Sequence, residues 1–299
     1  MSHQLNVDLT PKNNFIFKKL FTHPKSRSYL IDFLKAVLNE DILDVSFVES
    51  ESESLGNYYD SKNFRFDLKV ILSDGRVINV EMQKENVEPI EKRLTSYVSR
   101  LASEQLKQGQ KYDTLKDTVV ICILNYNFTN LPEYHTETIT VAKLHREYEL
   151  ANFIKYHFIE LPKFRQSKPD LSNKLDQWLL FLDSFDKELV DMAAYKNEEI
   201  KKAREIYEFL TANPNIRNII DDIEWAEIEE NSRRHYAETQ GMEKGLKEGL
   251  EKGLEQGLEK GKKETLLKIA KTMLASGEDI DKIAQITDLP KKEIQKLAK

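Results

Sequence analysis

Three side chains of one predicted β-hairpin could bind a metal ion: Asp67, Glu81 and Gln83. Their two β-type runs flank Ser73-Asp74-Gly75, which fits a three-residue hairpin loop with glycine in the left-handed conformation. In that register apolar residues meet apolar residues: Val70 with Ile78, Leu68 with Val80 and Phe66 with Met82. A shift of one residue would turn each side chain of one strand to the opposite face. The register therefore sets Asp67 directly opposite Glu81.

Opposed carboxylates on neighbouring strands have Cβ atoms about 5 Å apart and repel each other. A cation such as Mg²⁺ would remove that repulsion, because Mg²⁺ binds one or two carboxylates together with water and phosphate oxygens. Gln83 projects from the same face and could position water or phosphate. The alternative is a solvent-facing hairpin whose acids are screened by Arg65 and Lys69. Residue chemistry alone leaves both interpretations open.

Short helices and strands alternate around this hairpin from about residue 10 to 165. Apolar spacings of three and four predict helices at Phe15–Phe21 and Tyr29–Leu38, and Glu91–Gln108 is a third predicted helix. The predicted strands are Arg65–Leu72, Arg76–Gln83, Thr118–Tyr126, Thr136–Ala142 and Ile154–Leu161. Residues 118–126 are apolar enough for a strand buried on both faces. Helices and strands mixed in this order predict an α/β domain over residues 1–165.

The strand patterns end after this domain, and a helical extension is predicted over residues 166–240. Its predicted helices are Leu171–Val190, Glu198–Leu210 and Ile216–Tyr236. They would pack on the first domain or on a partner. The last residues, 264–299, predict a small helical hairpin in which Asp279–Ile286 and Lys291–Leu297 have the outline of a helix-turn-helix. Many small hairpins share that outline, so it favours a helical cap over a DNA-reading unit.

Between these two regions, residues 241–263 repeat with a period of four. Glycine recurs at Gly241, Gly245, Gly249, Gly253, Gly257 and Gly261, and the first five are followed by Met242, Leu246, Leu250, Leu254 and Leu258. Each interior glycine weakens a helix by about 1 kcal/mol relative to alanine. A second helix packed along the glycines would offset that loss, and a period above 3.6 would wind it right-handed. We therefore predict a homo-oligomer through residues 238–262; the alternative is a solvated, frayed helix.

Composition excludes several classes of protein. The formal charge of −6 gives no global attraction for nucleic acid, although Lys12, Arg93 and Arg100 belong to a locally basic set. The six histidines lack zinc-ligand spacing, and no glycine loop for a nucleotide cofactor is present. Neither a signal peptide nor an apolar window of about 18 residues is found, so no membrane association is expected. The single cysteine, Cys122, is predicted to lie in the core and suits a cytoplasmic protein.

The chain resembles the Rpn family of recombination-promoting nucleases and transposases, within the PD-(D/E)XK nuclease superfamily. The resemblance covers most of the chain: the opening Pro11–Phe21, the Asp67…Glu81-Met82-Gln83 hairpin, Arg93…Tyr97…Arg100, Gln105…Gly109…Tyr112 and the glycine repeat. It implies a restriction-endonuclease-like mixed sheet flanked by helices, followed by an all-α extension with a long glycine-repeat helix. It also implies that Asp67, Glu81 and the main-chain carbonyl of Met82 bind Mg²⁺ or Mn²⁺.

Two positions depart from the family pattern. Gln83 stands where the superfamily more often has Lys, and it cannot supply a positive charge. Asn14 stands where the family often has Asp. With Asp67 and Glu81 intact, the expected function is a Mg²⁺-dependent DNA endonuclease in recombination, transposition or defence, with Asp67, Glu81 and Gln83 as catalytic residues. The alternative, favoured by Asn14 and Gln83, is a catalytically decayed DNA-binding or assembly protein on the same fold.

The expected DNA contacts are Lys12, Arg93, Tyr97 and Arg100. The last three are spaced at i, i+4 and i+7, so they share one face of the predicted helix that follows the hairpin. Binding of the phosphate backbone through these cations would depend strongly on salt. The alternative is a helix that packs its tyrosine and extends its arginines into solvent.

Overall fold

Six strands form one mixed sheet in the computed structural model, which describes residues 8–47, 68–85, 89–150 and 153–297. In chain order they are β1 Val45–Phe47, β2 Leu68–Leu72, β3 Val77–Gln83, β4 Thr118–Leu124, β5 His135–Thr138 and β6 Ile154–Glu160. Their order in the sheet is β1-β2-β3-β4-β6-β5. The β3–β4 and β4–β6 pairs are parallel, and the other pairs are antiparallel.

The described residues also form a series of helices. They are α1 Asn14–Phe21, α2 Arg27–Leu38, α3 Ile90–Glu104, α4 Leu161–Gln166, α5 Lys174–Asp183, α6 Lys187–Lys196, α7 Glu198–Ala212, α8 Pro214–Ala275, α9 Ile280–Thr287 and α10 Lys291–Leu297. A short 3-10 turn spans Tyr112–Thr114. The predicted α/β fold with an all-α extension is therefore confirmed.

The main core lies on one face of the sheet. Trp178 of α5 packs with its ring 5.6 Å from that of Phe33 in α2 and 6.1 Å from that of Phe21 in α1, centroid to centroid. Ile121 and Ile123 of β4 belong to the same cluster. Helices predicted as an extension thus complete the core of the α/β domain. All seven residues of β4 are buried, as expected for a central strand.

The ends of some helices and strands differ from those predicted from the sequence. The predicted helix Leu171–Val190 is two helices, because Ser184 takes a left-handed conformation with φ of 51°. The predicted strand Thr136–Ala142 pairs regularly only as β5, with an isolated bridge from Val141 to Glu149. The strand β1 has only three residues and carries no clear periodic signal.

The chain divides into two compact units, Met1–Asp222 and Ile223–Lys299. In the second unit the glycine repeat is helical along its full length within α8. The end of α8 packs with α9 and α10 around Ala270, Ile283, Leu289 and Ile294. No helix in the described ranges is long and apolar enough to cross a membrane.

Candidate active site

The β2–β3 hairpin has the predicted register. Gly75 has φ of 90°, and its N–H donates to the carbonyl of Leu72 at 2.9 Å. The strand pairs are Leu68 with Val80, Lys69 with Asn79 and Val70 with Ile78. The next pair in this register is Asp67 with Glu81. Asp67 lies outside the described residues, so its position opposite Glu81 stays a prediction.

Glu81 is a buried carboxylate on a central strand. It is 2% exposed, and β3 lies between β2 and β4. Asn79 donates from Nδ2 to Oε1 of Glu81 at 2.8 Å. Gln83 presents Nε2 to Oε2 of Glu81 at a longer 3.4 Å. The two amides orient the carboxylate.

The face that carries Glu81 continues onto β4 and under α3. Cys122 is the parallel partner of Glu81, and it packs in an apolar cluster with Leu94 and Val98 of α3. The thiol is fully buried there, as predicted. Tyr126 lies at the edge of this cluster, and burial raises its pKa to about 12.

The predicted DNA contacts of α3 lie along one side of the helix. Arg93 and Tyr97 are half-buried and Arg100 is exposed. The guanidinium of Arg100 donates to Glu104 at 2.7 Å, and the ammonium of Lys69 donates to the other oxygen of Glu104 at 2.8 Å. Lys69, with a smaller contribution from Arg100, lowers the pKa of the Glu104 carboxyl. Arg93 differs, because its Nε is buried without a hydrogen-bond partner in the described part of the chain.

The direction of α3 relates these side chains to Glu81. Gln105, just after the helix, donates to Oγ1 of Thr118 at the start of β4. The helix therefore runs antiparallel to β3 and β4. Because Glu104 contacts Lys69, whose strand partner is Asn79, the earlier residues of α3 lie towards the carboxyl end of β3. That end carries Glu81 and Gln83.

Lys12 is held within its own chain. Its ammonium donates to Oδ1 of Asp183 at 2.8 Å, and that carboxylate is fully buried. Arg165 donates to the same carboxylate at 2.6 and 2.7 Å and also to the side chain of Asn125. The N–H of Asn125 donates to the carbonyl of Gln83 at 2.9 Å. This network, which the sequence gave no reason to expect, braces the end of β3; DNA contact by Lys12 stays a prediction.

Asn14 begins α1, next to Asn13, whose side chain caps the helix by accepting from two backbone N–H groups. Oδ1 of Asn14 is buried, and it has no hydrogen-bond partner within the described ranges. Helix α1 also contacts β3, the strand of Glu81. Asn14 thus lies on a helix that contacts the strand of Glu81.

One amide oxygen beside Glu81 could take a further partner. Oδ1 of Asn79, the residue whose Nδ2 contacts Glu81, is buried and lacks a hydrogen-bond partner among the described residues. Such oxygen donors fit a hard cation such as Mg²⁺ or Mn²⁺ better than zinc. No group of three or more His, Cys, Asp or Glu side chains that could hold a metal occurs in the described ranges, and the second predicted carboxylate, Asp67, lies outside them.

A hairpin with a buried glutamate, followed by a helical crossover to a parallel strand, is consistent with a restriction-endonuclease-like α/β fold. Residues 11–237 match the family described as PD-(D/E)XK nuclease family transposase. The chain belongs to this family. Comparison with the curated proteins and with the solved structures gave no match.

Residues 263–299 match a second family, the C-terminal HTH domain of Rpn/YhgA-like nucleases. The helix-turn-helix outline of the tail is therefore confirmed. Its two helices are α9 and α10, joined through Asp288, which has a left-handed φ of 55°. The match favours DNA binding over the plain helical cap that the sequence pattern favoured.

Proposed function

We propose that the protein is a metal-dependent DNA endonuclease whose active site is built on Glu81. The observation that carries the proposal is the buried Glu81 carboxylate, oriented by Asn79 and next to Gln83, on the central strand of a nuclease-family fold. Burying a carboxylate costs free energy, and a bound cation would compensate its charge. The proposed ligands are Asp67, Glu81 and the main-chain carbonyl of Met82, with Mg²⁺ or Mn²⁺ as the cation.

The bound cation would lower the pKa of a coordinated water and neutralise charge on the phosphate. The residues of the chain would position these groups. Asn79 holds Glu81 in one rotamer, and Gln83 would direct its amide towards the attacking water or a phosphate oxygen. Since Gln83 is neutral, charge stabilisation from the protein would come from cations on α3.

Arg93, Tyr97 and Arg100 are the proposed DNA contacts on α3. Nε of Arg93 is buried and has no hydrogen-bond partner among the described residues, which supports the assignment, because a phosphate oxygen would complete its hydrogen bonding. Arg100 and Lys69 share one carboxylate, Glu104. Lys12 also belongs to the proposal, although its ion pair with Asp183 speaks against a direct contact. The C-terminal helix-turn-helix would add a second DNA-binding unit.

Plasmid nicking tests the catalytic proposal. Supercoiled plasmid is incubated with Mg²⁺ and the wild type, Glu81→Gln, Asp67→Ala or Glu205→Gln, an exposed residue of α7 as matched control. We expect Glu81→Gln and Asp67→Ala to nick at least 100-fold more slowly than the wild type, because each removes a metal ligand. Glu205→Gln should match the wild type. Equal nicking by all four proteins would refute the site.

The second candidate is a catalytically decayed DNA-binding protein, which the neutral side chains Asn14 and Gln83 favour. Calorimetric titration with Mn²⁺ separates the two. A working site gives a heat of Mn²⁺ binding that disappears in Glu81→Gln, whereas a decayed site gives no heat that depends on Glu81.

We also propose that the chain is a homo-oligomer through residues 238–262. The proposed cleavage would serve recombination, transposition or defence.

A further inference from the structure

Tyr126 lies just beyond the proposed site, on the same face of the sheet. It follows Asn125, whose N–H donates to the carbonyl of Gln83 at 2.9 Å. Gln83 pairs with Leu124 in the parallel β3–β4 ladder, and side chains two residues apart project from the same face. Tyr126 packs against the same apolar cluster as Leu124. It therefore occupies the carboxyl end of the sheet on the face that carries Gln83.

Packing holds the ring of Tyr126 without using its hydroxyl group. The side chain is half-buried against the cluster that contains Ile90 and Leu94 of α3. Within the described part of the chain, its hydroxyl makes no hydrogen bond. A tyrosine that packs its ring in a core usually pairs its hydroxyl with a polar group. The hydroxyl of Tyr126 is therefore available to a bound ligand.

The guanidinium of Arg93 acts on this hydroxyl. Burial is the largest cause that raises the pKa of Tyr126 to about 12, and the positive charge of Arg93 works in the opposite direction. Arg93 precedes Leu94, which belongs to the cluster under Tyr126. Nε of Arg93 is buried, and among the described residues it has neither a hydrogen-bond partner nor a carboxylate in an ion pair. Two donors without an acceptor of their own thus lie close together.

Two acids also act on Tyr126, and neither takes up these donors. Glu160 is fully buried and accepts from Lys163 at 2.7 Å and from the backbone N–H of Phe128 at 2.6 Å. The side chain of Glu91 is exposed, so solvent screens its charge. An anion beside Tyr126 would therefore meet a guanidinium that no carboxylate compensates.

The chemistry of the two groups selects the ligand. A phenol hydroxyl and a guanidinium both donate hydrogen bonds, so together they suit an anion with several acceptor oxygens. A DNA phosphate has such oxygens, and arginine binds phosphate through paired planar donors. A metal cation at this place would be repelled by Arg93, and an apolar base would leave Nε of Arg93 without a partner.

We propose that Tyr126 and Arg93 bind the same phosphate group of the DNA at the carboxyl end of β3, beside Gln83. This contact rests on the DNA endonuclease proposed above and adds a substrate-binding residue, Tyr126, to it. The hydroxyl supplies a neutral donor on a ring that packing holds in place. The guanidinium supplies the positive charge that Gln83 lacks.

Fluorescence anisotropy with a labelled duplex, without added metal, tests the contact separately from cleavage. Tyr126→Phe keeps the ring and removes the hydroxyl, Arg93→Gln removes the charge, and the two are also combined. Tyr195→Phe is the matched control, because Tyr195 is 92% exposed on α6. All variants are also made together with Lys292→Ala and Lys296→Ala, exposed cations of α10, so that binding by the tail does not hide the effects.

We expect Tyr126→Phe to raise the dissociation constant about tenfold, because a hydrogen bond to a charged group is lost. Its salt slope should equal that of the wild type, whereas Arg93→Gln should lower the slope by about one ion. The combined variant should bind only slightly more weakly than Arg93→Gln, since both groups hold one phosphate. Tyr195→Phe should bind as the wild type does.

A dissociation constant of Tyr126→Phe equal to that of the wild type would overturn the shared contact. Additive losses in the combined variant would also overturn it, because the two side chains would then bind different phosphates. A wild-type chain that binds no duplex would overturn it together with the other proposed DNA contacts. If the expected losses occur in a protein that does not nick plasmid, the endonuclease proposal fails and the phosphate contact stands.

Discussion

The side-chain amide of Asn79 donates to Oε1 of Glu81 at 2.8 Å, and both residues are buried on the same face of β3. Groups that orient a metal-binding carboxylate in this way affect metal affinity without touching the metal. Asn79 is therefore a positioning residue for the proposed site. The relationship depends on strand alternation, since residues two apart project from the same face.

We expect Asn79→Ala to weaken the apparent Mg²⁺ affinity of nicking by roughly 10- to 100-fold, because the Glu81 carboxylate loses the donor that fixes it. The measurement is nicking rate against Mg²⁺ concentration. Gln105→Ala is the matched control, since that amide bonds only to groups around Thr118 at the far end of α3. Gln105→Ala should lower the melting temperature and leave the Mg²⁺ dependence unchanged. An equal shift in both variants would assign the effect to stability.

Glu104→Gln should strengthen DNA binding. Glu104 accepts from both Lys69 and Arg100, and its lowered pKa keeps it ionised at neutral pH. Removing this negative charge beside two cations makes the surface more positive for phosphates, so the salt slope should steepen by about one ion. Fluorescence anisotropy with a labelled duplex across a salt series measures this. Glu208→Gln, which removes a partner of an arginine on α7, should leave binding unchanged.

Two histidines in contact, the half-buried His135 and the buried His157, predict acid sensitivity. Nε2 of His135 lies 3.1 Å from Nδ1 of His157. Burial is the main reason that the pKa of each imidazole falls from 6.5 to about 4. The pKa of His135 is lowered further by His157 and raised slightly by Glu137. The pKa of His157 is lowered further by Lys155 and raised slightly by Glu40. Between pH 6.5 and about 4, these two histidines are therefore protonated in the unfolded chain and neutral in the folded chain. Stability should fall as pH drops through that window.

Each pKa unit corresponds to about 1.4 kcal/mol, so we expect a loss of a few kcal/mol in the free energy of unfolding between pH 7 and 4.5. Urea denaturation at a series of pH values measures it. His157→Phe removes one titrating ring and relieves its partner, so the variant should lose markedly less stability over the same range. A variant with the wild-type slope would show that other groups control the acid response.

Asp32 of α2 accepts hydrogen bonds from residues of α5 and from Asn197, which caps α7. Burial alone would raise its pKa, but hydrogen bonds from Lys174, Asn197 and Trp178 lower it overall. Asp32→Ala leaves buried donors without an acceptor, so we expect a loss of about 2–4 kcal/mol in the free energy of unfolding. Asp41→Ala is the control, since that carboxylate is exposed and should cost under about 0.5 kcal/mol. Equal losses would contradict the network.

The hairpin was predictable because its constraints are local. Gly75 at a left-handed position and the matched apolar pairs fix the register of β2 and β3 without reference to the rest of the chain. The helical breaks were less predictable. Ser184 ends α5 in a left-handed backbone conformation, which serine seldom adopts and its residue type therefore does not predict. Strand β1 has too few residues to show an alternating pattern.

The amino-acid sequence by itself was enough to identify the hairpin that carries Glu81 and Gln83, the motifs of the nuclease family and the four-residue repeat. Each of these features depends on residue spacing within a short segment. Only the tertiary structure decided the surroundings of that hairpin. It placed Lys12 on Asp183, joined Lys69 to Arg100 through Glu104, and left Nε of Arg93 without a partner in the described chain. These contacts join residues that are far apart in sequence. Their partners are chosen by packing and by the need to neutralise buried charge, which no local pattern encodes.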